Sequence, residues 1–265
     1  MRGRSFLLAA VVAAGFGIAQ SASAADMPVK APLYKAPPMA AYSWTGFYIG
    51  AHVGGGSQGS DLLADYLSTT PLSFGVQTTL AHASATGFLG GVQGGYNWQF
   101  APAWVAGVEG DFSWTGMNST LTVIPIATGG VPLPAQPTTW TRNLKWLASA
   151  RGRLGFLPMP NLLLYATGGA AWANFDYDAS FVNTTPGSNN WSNPFSKTLT
   201  GFVVGGGADW KLTQHWILGA EYLYYRFAGT NIIATNPAFP TFPIRFEWNT
   251  TEVHVGRIVV SYQFN

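Results

Sequence analysis

The chain has 265 residues, of which 48% are apolar, 15% aromatic and only 9% charged, and none is cysteine. Soluble domains carry about 25% charged residues, so a chain this poor in charge is not built to cover an ordinary water-facing surface. The missing cysteines exclude disulfides, thiol chemistry and cysteine-ligated metals, and the formal charge of only +2 argues against a nucleic-acid partner, which needs a basic patch.

The first 24 residues read as a cleaved secretory signal. Arg2 and Arg4 form a basic start, Phe6 to Ala19 is an apolar run, and Ala22-Ser23-Ala24 offers a small-x-small cleavage site. The run is short for a spanning helix, which needs about 20 residues. Without Arg2 and Arg4 the count of Lys and Arg falls from 13 to 11 and equals the 11 of Asp and Glu, so the mature chain is near neutral. Residues 25–43, rich in Pro and Ala, have no period and read as an extended periplasmic lead-in.

From Trp44 onward a two-residue rhythm takes over. In Val105–Trp114 one parity is apolar (Ala106, Val108, Phe112, Trp114) and the other carries Glu109, Asp111 and Ser113. Alternate side chains on a strand point to opposite faces, and behind a secretion signal the apolar face can meet lipid. Eight such strands follow in order. The first, about Thr45–Gly55, sets Phe47, Ile49, Ala51 and Val53 against Tyr48 and His52. The second, about Thr86–Phe100, sets Phe88, Val92, Tyr96 and Trp98 outward, with Gln93, Asn97 and Gln99 inward. A tight turn at Ala101–Ala103 leads into the third, Trp104–Thr115. The fourth, about Thr138–Leu157, places Leu144, Trp146, Ala148, Ala150, Leu154 and Phe156 outward against Lys145, Ser149, Arg151 and Arg153. Pro158–Asn161 turns into the fifth, about Leu162–Phe175, apolar on both parities and so of unassigned facing. The sixth, about Leu199–Leu212, sets Phe202, Val204, Ala208 and Trp210 against Asp209 and Lys211. The seventh is about Trp216–Phe227, with Glu221 inward, and the eighth about Trp248–Phe264.

Four long connections, about Gly56–Ala85, Gly116–Pro137, Asp176–Thr198 and Ala228–Glu247, alternate with the short turns. That asymmetry implies an all-β, eight-stranded antiparallel transmembrane β-barrel over residues 44–265, with short periplasmic turns and long extracellular loops. A hairpin around Leu72–Leu80 would raise the number to ten. Trp44, Trp98, Phe100, Trp104, Trp210, Trp216 and Phe264 are expected to form one aromatic girdle, and Trp114, Trp140, Trp172, Tyr222, Tyr224 and Trp248 the other.

By parity the lumen receives Glu109, Asp111, Asp209, Glu221 and Glu252 against Lys145, Arg151, Arg153, Lys211 and Arg257. Buried charges must pair, and the interior of a small barrel is only wide enough for side chains, so these ten are expected to form a salt-bridged plug. A gated ion path is the alternative. Val253 and Val255 read as outward, with Glu252 and His254 inward; because Ile258, Val260 and Tyr262 also read as outward, the phase slips and a β-bulge is expected near Gly256. His52 and His254 then share the inner face of adjoining strands and are the one candidate pair for haem or another ligand. There is no nucleophile motif, metal-ligand spacing or phosphate loop. Gly205-Gly206-Gly207 lies inside a strand and reads as close packing. No enzyme and no cofactor are expected.

Several stretches carry a family resemblance: Trp44-Thr45-Gly46-Phe47-Tyr48-Ile49-Gly50, Gly91–Gln99, Gly107–Phe112, Arg151-Gly152-Arg153-Leu154-Gly155, Leu164–Gly169 and Gly219–Tyr225. In these the chain resembles the small opacity-type outer-membrane β-barrel proteins, described as porin-family proteins or surface antigens. The resemblance implies outer-membrane location, an eight-stranded barrel and exposed variable loops, with members that are structural proteins, porins, adhesins or haem binders. The end, Ser261–Phe264, resembles the aromatic C-terminal assembly signal, with Asn265 where Phe is usual. The expected partners are outer-membrane lipid and lipopolysaccharide, the barrel-assembly machinery, and host or environmental ligands at the loops. The reading is a structural, surface-exposed barrel, with a small-solute porin and a haem or ligand receptor as alternatives.

Overall fold

Alternation of large apolar and small or polar residues begins at Gly46 and persists to Gln263, and it builds a single antiparallel sheet. The computed structural model describes residues 42–66, 79–124, 137–181, 191–192, 194–236 and 239–264. The segment read as a signal and most of the one read as a lead-in lie outside these, as do residues 67–78, on which most of the additional hairpin would fall; Thr79 and Leu80 already belong to a barrel strand.

In chain order the strands are β1 Gly46–Tyr66, β2 Thr79–Ala101, β3 Trp104–Val123, β4 Thr138–Met159, β5 Leu162–Phe181, β6 Trp191–Ser192, β7 Phe195–Lys211, β8 Trp216–Phe227, β9 Thr230–Asn236, β10 Phe239–Trp248 and β11 Thr251–Gln263. Eight of them form the ring β1-β2-β3-β4-β5-β7-β8-β11, and β11 pairs back onto β1 from Tyr48↔Gln263 to Gly59↔Glu252. Closure leaves no free edge within the ring. Gly46 sits at the seam with φ of +149°, a conformation side-chain-bearing residues rarely adopt, and a Cβ there would strike the Phe264 carbonyl.

The connections read as loops are largely strand. β1 and β2 stay paired up to Ala64↔Thr79, β3 and β4 up to Val123↔Thr138, and the β9–β10 hairpin adds onto the upper part of β1 at Leu62↔Trp248. Strands β1 to β5 run 20 to 23 residues, about twice the 9–11 needed to cross hydrocarbon. The wall therefore projects well past the apolar band at the loop end. Polar, Gly- and Thr-rich composition hid this, because a strand outside lipid needs no apolar face.

The outer surface is apolar over the expected band. Phe47, Ile49, Val53, Phe88, Val92, Val108, Leu154, Phe202, Val204, Ile258 and Val260 are all exposed. At the turn end Trp98, Phe100, Trp104, Trp210, Trp216 and Phe264 point outward as a girdle, and Trp114 and Tyr222 do so at the other. Three expected girdle members do not. Trp44, Trp140 and Trp248 are turned inward and 0–2% exposed.

Two phase assignments need correction. Lys145 is an extra residue on β4 relative to β5: Leu144 faces Phe175 and Trp146 faces Asn174. This bulge reverses parity above it, so Leu144 is buried and Lys145 is outside. The Thr115 hydroxyl donates to the Leu144 carbonyl there. Conversely, no bulge occurs at Gly256, which pairs in continuous register with Gly55 on one side and Tyr222 on the other. Val253 and Val255 face inward, and Glu252 and His254 face outward. The lumen changes polarity with height, while the phase of the strand stays constant.

Candidate functional site

The lumen is lined in three layers. At the turn end Trp44, Val105, Leu157, Leu163, Tyr165 and Ile217 form an apolar cluster. The Trp44 indole N–H donates to the Pro160 carbonyl at 3.0 Å. Lys211 lies 5.2 Å from the centre of the Trp44 ring and donates to the Ser43 and Gln214 carbonyls, so it closes the turn end rather than joining an ion pair. Toward the loop end a larger cluster runs from Leu89, Met117, Leu147, Val203, Leu223, Val253 and Val255 up to Trp140, Tyr177, Phe246 and Trp248.

Between them lies a charged layer built from two cross-strand pairs. Glu109 on β3 is directly opposite Arg151 on β4, and Glu221 on β8 is directly opposite Arg257 on β11. The ladder alone sets each pair face to face, as the pleat requires of same-face neighbours. The guanidinium groups then reach across the barrel. Arg151 Nη1 meets Glu221 at 2.7 Å, while its Nη2 meets Glu109 and, at 3.0 Å, Asp111. Arg257 grips Glu221 through Nη2 at 2.6 Å and Nε at 2.7 Å, and its Nη1 lies 3.4 Å from Asp111. Side chains in this set are 0–4% exposed, so each carboxylate depends on the guanidinium groups rather than on water.

A second lobe centres on Arg153. Its Nη2 meets Asp209 at 2.5 Å and its Nη1 lies 3.4 Å from Glu109. The guanidinium stacks 3.9 Å from the centre of the Tyr165 ring, a cation–π contact in a water-poor site. The Tyr48 hydroxyl accepts from Arg153 at 3.1 Å and donates to Glu109 at 2.6 Å, which joins the lobes. Glycine makes this possible: a Cβ on Gly95 or Gly207 would lie 2.6 or 2.7 Å from the Tyr48 or Tyr165 hydroxyl oxygen. Ser149 donates to Asp111 at 2.5 Å, and Gln93 donates to Glu109 at 3.3 Å.

The structure thus brings together Glu109, Asp111, Arg151, Arg153, Asp209, Glu221 and Arg257, keeps Lys211 in the lumen but apart, and places two expected members elsewhere. Lys145 is on the outer wall, 3.3 Å from Asp176, with both side chains about half exposed. Glu252 is on the outer face of β11. The histidine pair is also separated. His52 is buried inside, with Nε2 2.8 Å from Ser113 Oγ and 3.4 Å from Arg257 Nη1. His254 is outside, its Nδ1 2.6 Å from the Tyr222 hydroxyl. Residues on opposite faces of one wall cannot ligate one iron. Sequence reading missed Tyr165, because both parities of its strand are apolar, and missed Arg142, which the bulge at Lys145 turns inward.

The profile of the outer membrane protein beta-barrel domain family matches residues 9–264, and the chain belongs to that family. It is similar to the 31 kDa outer-membrane immunogenic protein of Brucella melitensis biotype 1, at 29% identity over 98% of this chain and all of that protein. The same protein of Brucella suis biovar 1 matches at 29% identity over the same shares. Among solved structures, OprG of Pseudomonas aeruginosa matches with a TM-score of 0.44 and 16% identity over 83% of this chain and 97% of that one.

Proposed function

We propose that this member of the outer-membrane β-barrel family is a non-catalytic, surface-exposed structural protein whose lumen is closed by its own side chains. The supporting observation is the pair of cross-lumen ion contacts, Arg151 to Glu221 and Arg257 to Asp111, which tie β4 to β8 and β11 to β3. An eight-stranded interior is just wide enough for side chains to fill, so contacts spanning it leave a solute no lane at that height. The apolar clusters on either side add two further barriers to ions. Every carboxylate of the layer is ion-paired with at least one guanidinium, which disfavours any of them as a nucleophile or general base.

Exposure rests on the strands that carry the wall beyond the apolar band. Relatives named as immunogenic proteins favour a reading in which this projecting collar meets the host or the environment. The outer girdle meets lipopolysaccharide, and the aromatic C-terminal strand, where Tyr262 and Phe264 lie 5.1 Å apart, is the handle for barrel assembly. Planar-bilayer recording of the purified protein tests the closed lumen. The expected result is no steady conductance; a steady, salt-dependent current restores the small-solute porin and removes this reading.

A further inference from the structure

One cation lies outside the charged layer, high in the apolar part of the lumen. Arg142 on β4 is 2% exposed, and its Nη1 donates to Thr251 Oγ1 at 3.1 Å. Its Nε and Nη2 are buried and have no hydrogen-bond partner among the described residues. These two N–H groups form one edge of the guanidinium, the fork whose spacing matches the two oxygens of a carboxylate. Three more buried donors without partners among the described residues belong to the same cluster: the indole N–H of Trp140, the indole N–H of Trp248 and the Tyr177 hydroxyl.

The cluster is continuous. Arg142 is the direct cross-strand neighbour of Tyr177, and its guanidinium lies 5.7 Å from the centre of the Phe175 ring. The Tyr177 ring is 4.7 Å from Trp248, which is 5.5 Å from Trp140. Phe246 packs 4.9 Å from Trp140. Trp140 is the third residue of β4, so the group stands at the loop end of the barrel, above the charged layer.

A buried guanidinium without a counter-charge is strongly unfavourable. Among the described residues, the only titratable group acting on Arg142 is the Tyr177 phenol. The connecting segments 67–78, 125–136, 182–190 and 237–238 contain neither Asp nor Glu, so none of them can supply a carboxylate. With no carboxylate offered by the described core or by these segments, the counter-charge is one a solute can supply, and the aromatic walls select what carries it.

We propose that this cluster binds a solute bearing a carboxylate on a flat apolar body, entering from the loop end. The Nε–Nη2 edge of Arg142 grips the carboxylate, and the rings of Trp140, Tyr177 and Trp248 enclose the body. The site does not depend on whether the lumen below is closed.

The test uses the full protein folded in detergent, with the thermal midpoint of its folded band followed on gels at constant ionic strength. Benzoate is expected to raise the parent's midpoint in a saturable way, as any ligand of the folded state does. Arg142→Met, which removes the charge, and Arg142→Lys, which keeps the charge but loses the fork, are expected to show no rise. Without benzoate, Arg142→Met should be at least as stable as the parent, because it replaces an uncompensated charge by an apolar group of similar length. Trp140→Phe, which keeps a ring and loses the N–H, should weaken the benzoate response and serves if either Arg142 variant fails to fold. Sulfate should protect less than benzoate because it cannot use the rings. An equal benzoate response in the parent and Arg142→Met, or none in the parent, overturns the site; equal or better protection by sulfate overturns the ligand class.

Discussion

Replacing Arg151 by Glu strikes the charged layer at the point where most of its contacts meet. Arg151 touches Glu109, Asp111 and Glu221, and its side chain has no exposure to solvent. The layer holds four carboxylates, Glu109, Asp111, Asp209 and Glu221, against the three guanidinium groups of Arg151, Arg153 and Arg257. Reversal makes that five against two. Removing one partner of a buried pair alone costs about 3–5 kcal/mol, and the added like charge increases it. On the scale of a domain of 150–250 residues, where 1 kcal/mol moves the midpoint by about 2–4 °C, the transition should fall by roughly 10 °C or more. Heat-modifiability on gels reads this directly, since the folded barrel and the unfolded chain migrate differently. Arg151→Met separates charge from packing and should cost less than Arg151→Glu. Adding Glu221→Gln to either variant should return part of the loss, a coupling of about 0.5–3 kcal/mol for residues in one network. If Arg151→Glu behaves like an ordinary surface substitution, within about 0.5 kcal/mol of the parent, the cross-lumen contacts do not hold the barrel and the reasoning fails.

Lys145→Ala should leave the same transition almost unmoved, because an exposed pair such as Lys145–Asp176 contributes about 0–1 kcal/mol; a loss as large as that of Arg151→Met would place Lys145 back in the lumen. Gly207→Ala forces the Tyr165 ring off Arg153, and overpacking of this kind costs about 1–3 kcal/mol; the denaturation midpoint checks it, and Gly152→Ala, where an added Cβ meets nothing within 4 Å, is the matched control. Haemin titrated into the parent, His52→Ala and His254→Ala should give the same spectra in all three, since the two imidazoles lie on opposite faces of the wall; loss of a bis-histidyl band in either variant would contradict the placement. Trp44→Ala opens the turn end, removing a fully buried indole and its bond to the Pro160 carbonyl; truncation of a core Trp costs about 3–5 kcal/mol, read as a lower midpoint.

Much of the barrel can be read from the residues because the outer face obeys one rule along its whole apolar band. Phe47, Ile49 and Val53 or Ile258 and Val260 face lipid whatever lies behind them, so their spacing gives strand, face and extent. The charged pairs follow from the same parity, since Glu109 and Arg151 or Glu221 and Arg257 need only the hairpin register to meet. What parity cannot convey is the partner across the lumen. Arg151 meeting Glu221 depends on the curvature of the whole ring, and no local pattern encodes it.

The errors share one physical origin, the assumption that the inside of the wall is polar at every height. Val253 and Val255 are apolar and inward, while Glu252 and His254 are polar and outward, because the wall there has left the apolar band and the lumen has become a hydrophobic core. A reader who holds polarity constant must invent a bulge at Gly256 to rescue the phase; one who holds the phase constant obtains the structure. On β4 the reverse is true. Polarity changes from Arg151 to Leu144 and a real bulge intervenes at Lys145, so parity counted through it sends Lys145 inward and leaves Arg142 outside. The two strands cannot be told apart by hydrophobicity alone. Their partners separate them: β11 runs against β1 and β8 without interruption, whereas β4 must absorb an extra residue against β5. Register is a property of pairs, and it is the register of β4 with β5 that sets Arg142 beside Tyr177, facing a core in which no described residue offers it a carboxylate.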